Sequence, residues 1–280
     1  MKILISSDSV CDLPAEVIKN NNIKILPLPI TLGDELYLDG DNINSEIIFD
    51  FVEKNKTLPK TSAINEYDYA EFFKNNLKEY DKIIHFVISD KISLCCENAK
   101  AAAKEMSDVY IVNSTTLSSA VGLLIMYACS LRDKGLSADE IYKKVIEKVH
   151  KTYIVFVIEK LDYLYKGGRC SSLQRLGANL LKLRPSVYIN NGKLEVHKKY
   201  RGKMPEVVKN FIIDTINENQ DYDDEICFIT YSSATEEMIQ SAHNTLKLQT
   251  RFKNILESCA GATITSHCGK NTIGIAFFKK

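Results

Sequence analysis

The chain has 280 residues, 45% of them hydrophobic, with 36 Lys+Arg balanced by 36 Asp+Glu. That length allows a sizeable core in one large domain or two moderate ones, and the even charge offers nothing to a nucleic acid or an acidic polymer. No run approaches about twenty apolar residues, so no transmembrane segment is expected, and the opening MKILISSDSV reads as a strand and not as an export signal.

Lys2–Ser6 is a short apolar strand that ends at Asp8-Ser9. Pro14 suits the first turn of a helix reaching about Asn21, with Glu16 near its positive end. Ile23–Leu32 is strand-like, but Pro27 and Pro29 forbid a regular central strand throughout. Asp34–Asn44 is acidic and turn-rich. Ser45 is placed to cap a helix to about Lys54, and Glu66–Leu77 follows as another helix after the loop Pro59-Lys60-Thr61-Ser62. Ile83–Ile88 is a buried strand with the exit loop Ser89–Ser93. Ser93 can cap the next helix, which holds Glu97 and Ala99–Ala103. Val109–Val112, Asn113–Thr116 and a helix over about Leu117–Arg132 repeat the unit. Gly135 ends that helix, and Ser137 starts another with Asp139 and Glu140 in its first turn.

Strands alternating with helices in this way predict a parallel sheet covered by helices on both faces. Ligands of such sheets bind beyond the carboxyl ends of the strands. Those ends carry Asp8, Ser9, Ser89, Ser93 and Ser114.

The pattern changes after about His150. Thr152–Ile158 is a strand leading to Leu161–Tyr165 and then to Lys166-Gly167-Gly168-Arg169, a basic and flexible corner. Two glycines beside a cation suit an anion or an acidic partner face, but on composition alone a plain helix cap with a solvated Arg is the favoured account. A helix should follow, with Leu173, Leu176, Leu180 and Leu183 on one face and Arg184-Pro185 as its stop. Ser186–Ile189 and Lys193–Lys199 form a hairpin about Asn190-Asn191-Gly192. Then come a helix over Glu206–Asn217, a strand over Ile226–Tyr231 and a helix over Thr235–Leu246. Ala262–Ser266 and Ile273–Phe278 read as two short strands around His267-Cys268-Gly269. The expected architecture is α/β in two domains, 1–150 and 151–280. The first holds a parallel sheet flanked by helices, the second a mixed sheet.

Several chemistries lack their sequence devices. There is no G-x-S-x-G elbow, no G-x-G-x-x-G after the first strand and no Walker lysine loop. His85, His150, His197 and His243 are scattered, the eight cysteines show no paired zinc spacing, and the Asp34–Asp41 loop lacks calcium-loop spacing. No metal and no cofactor is therefore expected, and free thiols fit a reducing cytoplasm. Hydroxyls remain. Ser93 at a helix N-terminus caps it, and a spare hydroxyl there also suits an anion. Thr61-Ser62 and Ser266-His267 are two further candidates. Ser93, His267 and Asp8 together admit a serine-dependent hydrolase or a phosphoryl-transfer subunit.

The combination of motifs resembles the DegV family of bacterial fatty-acid-binding proteins over nearly the whole chain. The matching pieces are Asp8-Ser9 with Asp12-Leu13-Pro14, Leu26-Pro27-Leu28, Lys60-Thr61-Ser62, and Ile88-Ser89 through Ile92-Ser93. Further along they are Leu161–Arg169 with Lys182–Val187, and Ser266-His267-Cys268-Gly269 with Gly274. The resemblance implies that a long-chain fatty acid lies between two domains and that the hydroxyls of Thr61 and Ser93 grip its carboxylate. Ser62, Ser89, Ser114, Ser266 and His267 would support the head group, and Arg169 would meet a partner or phosphate. It also implies a non-catalytic carrier that presents the carboxylate to a separate fatty acid kinase for lipid metabolism. Two departures stand out. Ala63-Ile64-Asn65 replaces the family's Gln-Pro-Ser, and Ser93-Leu94-Cys95 replaces its Ser-Gly-Thr. Leu94 is expected to crowd the helix N-terminus, and Cys95 to bond more weakly than threonine.

Overall fold

The computed structural model describes residues 1–170 and 183–280. The helix expected to carry Leu173, Leu176 and Leu180 lies outside the described residues. In the first half the elements run β1 (Ile3–Asp8), α1 (Ala15–Asn20), β2 (Lys24–Leu26), β3 (Pro29–Leu32), β4 (Glu35–Leu38), α2 (Ser45–Asn55) and β5 (Lys60–Thr61). There follow α3 (Glu66–Asn76), β6 (Lys82–Val87), α4 (Cys95–Ala102), β7 (Val109–Asn113), α5 (Ser119–Asp133) and α6 (Ala138–Val149). The second half has β8 (Thr152–Val157), α7 (Asp162–Lys166), β9 (Arg184–Asn190), β10 (Lys193–Tyr200), α8 (Met204–Glu218) and β11 (Tyr222–Ser232). It closes with α9 (Glu236–Gln249), β12 (Asn254–Cys259), α10 (Ala262–Cys268) and β13 (Thr272–Lys279).

Three sheets result. The first has the order β2-β1-β6-β7 with every pairing parallel, as strand–helix alternation requires. The second is mixed, in the order β10-β9-β8-β13-β11-β12. Its pairings are antiparallel except β11 with β12. The third, β4-β3-β5, is small and antiparallel. Strands β3 and β4 form from the stretches read in sequence as a broken strand and an acidic turn, and β5 from Lys60-Thr61, read as loop. The prolines divide the first of these: β2 stops before Pro27, and β3 begins at Pro29.

Helix α5 sits between the two large sheets. It packs on β1 and β6 from one side and on β8 and β13 from the other. Val121, Leu123, Leu124, Ile125 and Ala128 are all buried, so the helix is apolar all round. Ser137, expected to start α6, does so in a capping box: Ser137 accepts the Glu140 N–H and the Glu140 carboxylate accepts the Ser137 N–H. The Asn190–Lys193 pair closes the β9–β10 hairpin about Asn191-Gly192, both at positive φ.

The structure corrects local expectations at Ser45 and at Ala262–Ser266, and it adds a strand. Asn44, not Ser45, caps α2, accepting the Ile47 N–H at 3.0 Å. Ser45 instead donates to the Ala260 carbonyl at 2.8 Å. Arg184-Pro185 opens strand β9, and the helix it was expected to stop lies outside the described residues. Strand β12 had no clear sequence signal. Ala262–Ser266 is helical, although Thr263, Ile264 and Thr265 favour strands. Its amides decide the matter. Asp12 accepts the Gly261 N–H at 2.8 Å, and Asp39 accepts those of Ala262 and Thr263 at 2.7 and 3.2 Å. Two distant carboxylates thus cap α10, and tertiary context overrides local propensity. Among the described residues no helix is long and apolar enough to cross a membrane.

Candidate functional site

A cavity of about 590 Å³, counted to its open mouth, lies where both halves of the chain meet. Strand β5 brings Thr61 to it, and pairing with β3 places Thr61 opposite Ile30. The β6–α4 loop brings Ser93, α7 and its exit bring Leu164 and Arg169, and α10 brings Thr263 and His267. The remaining wall is apolar, formed by side chains such as Leu28, Ile88, Ile92, Leu117 and Phe156. A second cavity of about 350 Å³ adjoins the first, and Leu117, Phe156, Ile264 and Cys268 line both.

Its polar end is compact. Thr61 Oγ1 lies 2.8 Å from His267 Nε2. The imidazole is pushed down to about 4, first by burial and then by the charge of Arg169, so it is neutral at pH 7. Its Nδ1 is buried with no partner among the described residues. A buried acceptor tolerates that better than a buried N–H does, which favours the proton on Nε2. His267 then donates to Thr61, and the Thr61 O–H is left to point into the cavity. Arg169 is exposed at the rim, its Nη1 donating to the Gly167 carbonyl at 2.6 Å.

Two glycines bring the α7 corner against α10. A Cβ on Gly167 would stand 2.5 Å from His267 Nδ1, and one on Gly269 2.6 Å from the Tyr163 ring. Gly269 also has φ +74°, so only glycine fits there without strain.

The other expected residues have varied places. Ser62 lines the cavity and is exposed. Ser93 accepts the Cys95 N–H and donates to Cys95 Sγ, both at 3.2 Å. Ser89 donates to the Gly192 carbonyl at 2.8 Å, pinning the β9–β10 hairpin to the β6–α4 loop. Ser114 bonds the backbone of Thr116, and Ser266 bonds the Ala262 carbonyl. None of these last three lines the cavity. The set Ser93, His267 and Asp8 is not assembled as a triad. His267 pairs with Thr61, while buried Asp8 accepts Tyr69 O–H at 2.7 Å and faces His85 Nε2 at 3.2 Å. Among the described residues no group of three or more His, Cys, Asp or Glu is arranged to hold a metal.

The family model for DegV, described as an uncharacterised protein family, matches residues 2–280. The chain belongs to the DegV family. A fatty acid-binding protein of Thermotoga maritima is 28% identical over 281 residues, covering 98% of this chain and 96% of its own length. A Thermotoga maritima protein whose crystal structure is said to reveal fatty acid binding function shares 26% identity at TM-score 0.86, with full coverage of both chains. A fatty-acid-binding DegV family protein of Thermus thermophilus has the same fold at TM-score 0.92 and 24% identity, again with full coverage of both.

In this DegV chain the two departures at the second hydroxyl have simple outcomes. Leu94 is the N-cap residue of α4 and is 60% exposed, so most of its side chain lies in solvent. Cys95 is buried, its thiol is pushed up to about 11 mainly by burial, and it takes the Ser93 proton as a weak acceptor. Thr263 was not singled out in the sequence. It lines the cavity, and its buried Oγ1 has no partner among the described residues. Thr263 and His267 are four apart, as are Ile264 and Cys268, so one helical face supplies both polar and apolar wall. Reading the segment as a strand hid that spacing.

Proposed function

We propose that the protein binds one long-chain fatty acid between the units 1–150 and 151–280. The observation that carries this reading is a cavity with hydroxyls and a neutral imidazole at one end and apolar walls beyond. The carboxylate lies against the O–H groups of Thr61 and Ser93, with Thr263 as a further donor and His267 orienting Thr61. The tail runs along Leu28, Ile92 and Leu117 and past Phe156 into the adjoining cavity. A tail of about sixteen carbons buries about fourteen CH₂ groups at ~0.8 kcal/mol each, on the order of 10 kcal/mol in all. Each hydrogen bond to the charged head adds roughly 1.5–3 kcal/mol. The tail therefore supplies most of the affinity, and the hydroxyls fix its direction.

Such a division suits a non-catalytic carrier that hides the tail and offers the head to another enzyme. A separate fatty acid kinase is the proposed recipient, with Arg169 at the rim meeting it or the transferred phosphate. Organic extraction of the purified protein, followed by mass spectrometry, should release a fatty acid in near-stoichiometric amount. No lipid in the extract, together with no palmitate binding by calorimetry, would refute the carrier.

A further inference from the structure

The groove between β4 and α2 differs in character from the cavity. Residues 25–53 include seven acidic side chains and no Lys, Arg or His. Asp39 is buried under α10, while the other six are exposed. Among those six, Leu36 is 66% exposed and Ile47 38% exposed. Strand β4, which carries Leu36, is the outer strand of its sheet. The groove beside it measures about 950 Å³ with its open face. Leu32, Tyr37, Ile47 and Phe51 form its apolar part, Asp34, Glu35 and Asp50 its acidic part, and Lys54 is the lone cation among its described lining. Leu36 stands outside this lining; within it exposed Ile47 adjoins half-buried Tyr37 and Phe51, and an apolar group of that kind along a groove marks a contact surface.

We infer that this groove docks a basic amphipathic segment of a partner protein. The apolar side chains of that segment enter between β4 and α2, and its Lys or Arg residues face Asp34, Glu35 and Asp50. Charge selects this occupant over the alternatives. An anionic lipid surface is repelled by the same carboxylates. A second copy meeting the groove about a twofold axis would oppose like charges. None of the groove residues lines the cavity, so the groove can fill whether or not an acyl chain is bound. Its floor is nonetheless part of the small core of Ile30, Leu32, Ile43, Ile48 and Ala262, on which both β5 and α10 rest.

Two fluorescent peptides of equal length test this on the full chain. One has Leu along one helical face and Lys on the other; the second replaces every Lys with Glu. Anisotropy should show saturable binding of the Lys peptide alone, with hydrogen-exchange protection confined to about residues 34–55. Affinity should fall at least tenfold in Ile47→Asp and in the double variant Asp34→Lys/Asp50→Lys. The inference is overturned by equal binding of the Glu peptide, by unchanged affinity in the charge-reversed variant, or by protection elsewhere. Binding of phosphatidylserine vesicles through 34–55, or a dimer abolished by Ile47→Asp, overturns it in favour of a membrane or a second copy.

Discussion

The imidazole of His267 contributes to stability with a definite sign. A free histidine titrates near 6.5, and here the folded chain holds it at about 4. Between those values this group binds more proton in the unfolded chain, so its contribution to stability rises with pH through that window and levels off above it, while buried Asp12, raised to about 7, acts with the opposite sign. His267→Gln should flatten the rise, read as urea midpoints from pH 4 to 7; an unchanged slope would place its origin elsewhere. The proposed hydroxyls have a separate signature. Wild type should prefer a fatty acid over the alcohol of equal length, and Thr61→Ala/Ser93→Ala should erase most of that preference. Calorimetry should find the acid weakened about tenfold or more per hydroxyl, from roughly 1.5–3 kcal/mol each, and the alcohol little changed. Both hydroxyls, His267 and Arg169 could be named from sequence because each belongs to a short recognisable string. Thr263 could not, because its relevance depends on the turn it occupies. Ser89, Ser114 and Ser266 have equally suggestive neighbours, yet Ser114 and Ser266 donate to carbonyls two and four residues away, and Ser89 to Gly192, 103 residues on.

At the level of elements, strand–helix alternation made the parallel sheet legible, and Asn191-Gly192 did the same for the hairpin. The failures lie where a partner remote in sequence decides. Helix α10 exists because Asp39 and Asp12 supply its first turn with acceptors. Asp39→Ala would leave the buried amides of Ala262 and Thr263 without theirs, at about 1–2 kcal/mol. Asp39→Asn keeps one acceptor and should cost less. Denaturant unfolding of the two variants measures the difference, and equal midpoints for Asp39→Ala and wild type would remove Asp39 as the cap. The third sheet escaped notice for another reason. Its strands are four, four and two residues long, too short for an alternating pattern to stand out.

Across the whole molecule, α5 joins the two large sheets into one packing unit, a central place that the sequence reading of it as one more helix of the alternating series did not show. The contacts that complete the cavity are far apart in the chain. Thr61 and His267 are separated by 206 residues, and Asp12 and Gly261 by 249. During synthesis at roughly 5–20 residues per second, Thr61 emerges about 10–40 s before its histidine. Once made, Leu28, Ile88, Ile92 and Leu117 wait for the rest of the wall until Phe156, Leu164 and then α10 follow, and the nascent chain offers a greasy face to whatever waits at the ribosome exit. A chaperone, or a free lipid arriving early, would meet this protein first in that unfinished form.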